Sequence, residues 1–220
     1  MLPATSLAFA LFASSLLAER PLAPPPPLAV DVIVASDISP TLVTRVLAEA
    51  ADVWRAAGVT LVWKLDGRVS SRLRVTIGHW ANGVARDETL LPLGWIVFDD
   101  EGRPERSIYV SYTNASALLD QTRGGTGFGE RMPRAERETM LGRAMGRALA
   151  HEMGHYLLAS KAHSVKGLMR AKRTAVEFFA IERTRFELDA EQRTAVTLRL
   201  APPPAALASL QSPVLGSVGR

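Results

Sequence analysis

The sequence predicts an α/β domain: one sheet, a long helix packed on its face, and a second long helix running through the middle of the molecule. Three observations carry this. Between residues 28 and 80 the pattern is strand, helix, strand, strand, written first in β-branched runs and then in apolar residues at helical spacing. A second helical stretch, Pro133 to Leu158, is filled with small residues: Gly142, Ala144, Gly146, Ala148, Ala150 and Gly154. Interior glycines cost a helix about 1 kcal/mol each relative to alanine, so they are expected where backbone must approach backbone closely. Finally, 220 residues at 47% hydrophobic content suffice for one sizeable core, and the absence of cysteine excludes a disulfide framework, a thiolate metal site and a thiol nucleophile.

Taken in order, Leu28 to Ser36 reads as the first strand. Ser39-Pro40 supplies an N-cap and a proline at the first helical position. Leu42, Val43, Val46, Leu47, Ala50, Val53 and Trp54 recur at helical spacing until Gly58 closes the helix. Val59 to Leu65 and Leu73 to Trp80 are the second and third strands, Leu93 to Phe98 a short fourth, and Ser107 to Tyr112 a fifth. Asp99 to Gly102 lacks the regular ligand alternation of a calcium loop and reads as a solvated turn. Arg123 to Glu130 is glycine-rich but has no following Lys-Ser/Thr, so it is a loop rather than a phosphate cradle. After the helix from Pro133 to Leu158, a short helix is expected around Arg173 to Glu182. Asp189 with Gln192 then forms a capping box opening a last helix that ends before Pro202.

The ends of the chain differ in character. Residues 1–18 are almost wholly apolar or small, like the hydrophobic region of a secretory signal, which would make the protein secreted or periplasmic; a buried N-terminal helix is the alternative. Residues 19–27 are a Pro-rich linker, 28–200 the folded domain, and 201–220 a Pro-, Ala- and Ser-rich tail expected to be disordered. No later segment is long and apolar enough to span a bilayer. The net charge of +4 is spread among alternating basic and acidic residues, so no nucleic-acid partner is expected.

The chemistry concentrates in His151-Glu152-Met153-Gly154-His155. Histidines four apart on a helix share a face and can reach one metal ion, while Glu152 flanks that face, able to take a proton from a metal-bound water without ligating the metal. The chain has four histidines, and three of them, His151, His155 and His163, fall within thirteen residues. His79 lies on a strand far from this cluster in sequence and is expected to be structural.

From His151 onward the sequence resembles the metzincin clan of zinc metallopeptidases, and its matrixin-like members most, which carry H-E-x-x-H-x-x-G-x-x-H followed by a methionine turn. The resemblance implies that His151, His155 and His163 hold one catalytic zinc ion, that Glu152 is the general base, and that Met169 is the turn methionine. It also implies a twisted, mostly parallel sheet of about five strands with an antiparallel edge strand, backed by the long helix, with a central active-site helix and a small C-terminal helical part. In that frame Gly94 to Phe98 would pair with an extended substrate. Two departures stand out: Leu158 occupies the glycine position, and His163 follows His155 by eight residues rather than six. Leu158 disfavours a positive φ, so the helix must run on or turn differently before His163. Glu177 is the rival third ligand and would give the His-His-Glu set of thermolysin-like zincins. The expected activity is that of a monomeric zinc endopeptidase acting on a protein or peptide. The alternative is a zinc-binding module that recognises a peptide or partner without cutting it.

Overall fold

The computed structural model describes residues 25–66, 71–80, 92–122 and 132–201. The expected signal segment at 1–18, the linker up to residue 24, the glycine-rich loop at 123–130 and the tail from 202 onward lie outside the described residues.

Five strands form one sheet: β1 (Leu28–Val34), β2 (Leu61–Lys64), β3 (Leu73–Gly78), β4 (Gly94–Phe98) and β5 (Pro104–Ser111), in the spatial order β2-β1-β3-β5-β4. All neighbours are parallel except the edge strand β4, which runs antiparallel to β5 with Trp95 opposite Tyr109. This is the mostly parallel α/β sheet with an antiparallel edge that the sequence implies. Alternation along the strands puts Val30, Val32, Leu73, Val75, Ile77, Ile108 and Val110 into the core.

Helix α1 (Pro40–Ala56) covers the core with Leu42, Val43, Val46, Leu47, Ala50, Val53 and Trp54, the residues whose spacing announced it. Its end is a Schellman motif: Gly58 at φ +81° donates its N–H to Arg55 and Val59 donates to Trp54, each at 3.0 Å. That bond takes Val59 into the helix terminus, which is why β2 begins only at Leu61. The hydroxyl of Ser39 makes no capping bond, although the helix starts at Pro40 as expected.

The central helix α3 (Arg134–Leu158) packs on α1 and against β5 and β4. Its glycines explain how two helices come so close: a Cβ on Gly142 would stand 2.6 Å from the Arg45 Cβ, and one on Gly146 would stand 2.7 Å from the Val46 carbonyl oxygen. Between β5 and α3 lies α2 (Tyr112–Thr122), a helix that apolar periodicity does not announce. It begins without a break from β5, the Ser111 hydroxyl accepting the Asn114 N–H at 3.0 Å. The C-terminal part holds α4 (Ala175–Phe179), a 3₁₀ turn at Thr184–Phe186 and α5 (Ala190–Leu200), the last opened by the expected Asp189–Gln192 capping box. Among the described residues no helix is long and apolar enough to cross a membrane.

One buried charge pair ties these parts together. Arg147, fully buried in α3, donates Nε–H to Glu49 of α1 at 2.8 Å. Its Nη1 and Nη2 donate to the carbonyls of Glu177 at 2.7 Å and Glu182 at 3.1 Å, fastening the C-terminal part to the central helix.

Candidate metal centre

Helix α3 presents His151 and His155 on one face, and the loop after it brings in His163, so that one ring nitrogen from each lies within 4.8 Å of the others. The rings pack closely, His151 stacked on His163 at 5.3 Å between centroids and His155 edge-on to both. His155 is buried and His163 exposed.

Backbone carbonyls fix the two helix histidines. His151 Nδ1 lies 2.8 Å from the Leu168 oxygen, and His155 Nδ1 lies 2.7 Å from the Ser160 oxygen. A carbonyl only accepts, so each Nδ1 carries the proton and each Nε2 is left with a lone pair. Those two Nε2 atoms face one another at 3.1 Å. Two lone pairs so placed repel unless a cation sits between them, and nitrogens on one tetrahedral zinc at ~2.05 Å stand roughly 3.3 Å apart. Burial lowers the pKa of both rings, that of His151 to about 4, which keeps them neutral as metal ligation requires. The donor set therefore fits a divalent transition metal such as zinc.

The departure at Leu158 is resolved one residue later. The helix runs through Leu158, and Ala159 takes the left-handed conformation at φ 49°, the Ser160 N–H returning to the His155 carbonyl at 3.2 Å. An alanine thus does what glycine does more cheaply. A tight turn then holds His163 in place: the Ser164 N–H donates to the Met169 carbonyl at 2.9 Å, and Gly167 turns at φ +74°. Met169 is buried, and a Cβ on Gly154 would overlap its Sδ, so the glycine of the motif makes room for the methionine.

Glu152 sits between the cluster and β4, its Cγ 3.2 Å from where a Gly94 Cβ would lie. Burial pushes its carboxyl up to about 8, against a counteracting hydrogen bond from the Ile96 backbone. Glu152 lines the same cavity as the three histidines.

Glu177, the rival ligand, is placed elsewhere. Its carboxylate receives Arg170 at 2.8 Å, Arg185 at 3.2 Å and the Thr174 N–H at 2.9 Å, the last as part of the capping box that opens α4. His79 pairs with Asp37 at 2.9 Å and meets Tyr112 edge-on, in keeping with a structural role. In the Asp99–Gly102 turn, Arg103 occupies the carboxylates of Asp99 and Glu101. The sequence did not reveal the two orienting carbonyls, Leu168 and Ser160, because any residue supplies one.

No family model and no curated protein matches the chain. Solved structures similar to it include archaemetzincin from Methanopyrus kandleri, at 13% identity and a TM-score of 0.47, over 79% of this chain and 96% of that one. Myroilysin is similar at 10% identity and a TM-score of 0.33, over 80% of this chain and 83% of that one. Both likenesses are distant, and the chemistry of the site is read from its own residues.

Proposed function

We propose that this chain is a metzincin-like, zinc-dependent endopeptidase, with His151, His155 and His163 as metal ligands and Glu152 as general base. The observation that carries the reading is the pair of Nε2 lone pairs facing each other at 3.1 Å, each ring locked by a backbone carbonyl, with the half-buried carboxyl of Glu152 one residue along the helix. Zinc bound there would supply Lewis acidity and lower the pKa of a water towards ~7. A cation held by the histidines would favour the ionised form of Glu152 against its burial, and the carboxylate would then take the proton of the attacking water and pass it to the departing amine. Among the described residues no strand pairs with the outer edge of β4, where an extended substrate would add as a further strand. Matrixin-like membership in particular is not supported by the turn, where Leu158 stands at the glycine position, the left-handed residue is Ala159 one place later, and the loop to His163 is two residues longer.

The test is metal analysis together with peptide cleavage by the wild type and Glu152→Gln. One zinc per chain, cleavage by the wild type, and retained zinc with cleavage reduced by at least about 100-fold in Glu152→Gln are expected. Zinc without cleavage by either form would favour the recognition module, and absence of zinc would defeat both readings.

A further inference from the structure

Among the described residues the cavity beside the histidines, about 460 Å³, is lined by five cationic side chains and by one acidic residue, Glu152. Two of the cations are neutralised: Arg147 by Glu49 and Arg170 by Glu177, each at 2.8 Å. Lys161 lies over the Phe98 ring at 5.1 Å. Lys172 and Arg173 have no carboxylate at ion-pair distance among the described residues. Glu177 attracts Arg173 from further off, but its single carboxylate already serves Arg170 and Arg185.

Arg173 is held firmly. Its guanidinium lies 3.9 Å from the centroid of the buried Phe186 ring, and Nη2 donates to the carbonyls of Gly167 and Leu168. Leu168 is the same carbonyl that fixes His151, so the guanidinium is anchored directly at the histidine cluster. Its Nε and Nη1 have no hydrogen-bond partner among the described residues and are closed off from solvent, so a ligand reaches them only if the side chain shifts. Buried, charged donors left unpaired are costly, and a pre-oriented guanidinium is the side chain best suited to a carboxylate.

We propose that the wall formed by residues 170–173 binds a carboxylate of the substrate, so that the chain selects peptides with an acidic group beside the bond it cuts. This rests on the peptidase reading above. The group is either an Asp or Glu side chain or the free C-terminus of a short peptide, since both present the same two oxygens.

The zinc-loaded full chain is assayed on matched peptides carrying Glu or Gln near the cleaved bond, each with a free or an amidated C-terminus. We expect kcat/KM to favour the carboxylate form about tenfold or more, as for one charge-assisted contact. A preference that follows the internal Glu assigns the side chain, and one that follows the free terminus assigns the C-terminus. Lys172→Glu, at an exposed position, should cut the ratio several-fold, and Arg173→Gln should abolish it. A ratio near one overturns the carboxylate site and leaves the peptidase reading standing. If no peptide is cut, calorimetric binding to zinc-loaded Glu152→Gln decides: tighter binding of the carboxylate peptide than of its amide supports the site while the peptidase reading falls. Equal binding, or none, overturns it.

Discussion

The two halves of the candidate centre are held in opposite ways. His151 and His155 stand on a long helix pinned to its neighbours by the Arg147–Glu49 pair and by glycines that let α1 and α3 touch. His163 hangs from a loop whose shape depends on a left-handed alanine, one turn of backbone hydrogen bonds and the Met169 side chain seated under Gly154. The helix half is stabilised by many interactions spread over the core, so it tolerates local error. The loop half rests on few contacts, so single substitutions there should move the third histidine without unfolding the domain.

The largest expected effect lies in the helix half. Glu49→Leu strands the fully buried Arg147 without its countercharge and should destabilise the protein by about 3–5 kcal/mol in denaturant unfolding. An unchanged midpoint would show that the pair is not a tie between α1 and α3. Next comes Gly154→Ala, which drives a methyl into Met169 and should cost about 1–3 kcal/mol. Met169→Ala should then cost less in that background than in the wild type, and strictly additive losses would contradict the seating described.

Glu177 gives a pH-dependent contrast. Burial alone would raise its pKa, but the Thr174 N–H, Arg185 and Arg170 outweigh burial and hold it at about 2. A carboxylate depressed in the folded state contributes stability that is fully present above its unfolded value of roughly 4.3 and is lost as pH falls towards 2. Glu177→Gln should therefore cost on the order of 2 kcal/mol at pH 7, with the difference from wild type closing between about pH 5 and 2. A loss that persists unchanged to pH 2 would point to packing instead of charge. The smallest effect is Ala159→Gly, which relieves the left-handed alanine and should raise stability by less than about 1 kcal/mol. A clear loss there would mean that the turn is not the one described.

What the sequence made legible follows the same division. The strands were readable from their β-branched, apolar runs, α1 because its apolar residues keep the helical period, and α5 because Asp189 and Gln192 cap it reciprocally. Helix α2 escaped because it buries only Asn114, Ala115 and Leu119 and is started by the hydroxyl of a strand residue, Ser111. The histidine pair was visible because helical geometry ties spacing to direction. The route from Leu158 to His163 was not, because a non-glycine residue takes the left-handed conformation and the ring-orienting groups are carbonyls. Glu177 was a plausible ligand by residue type, and only its three-dimensional partners, Arg170, Arg185 and Thr174, show its carboxylate engaged elsewhere.

The most direct measurement is zinc stoichiometry and affinity for the folded wild type, His163→Ala and Glu177→Gln, determined by elemental analysis and competition with a chelator. A three-histidine centre predicts one zinc per chain in the wild type and in Glu177→Gln, and at least about a 100-fold weaker hold in His163→Ala. Zinc held equally well without His163, or lost with the Glu177 carboxylate, would contradict it.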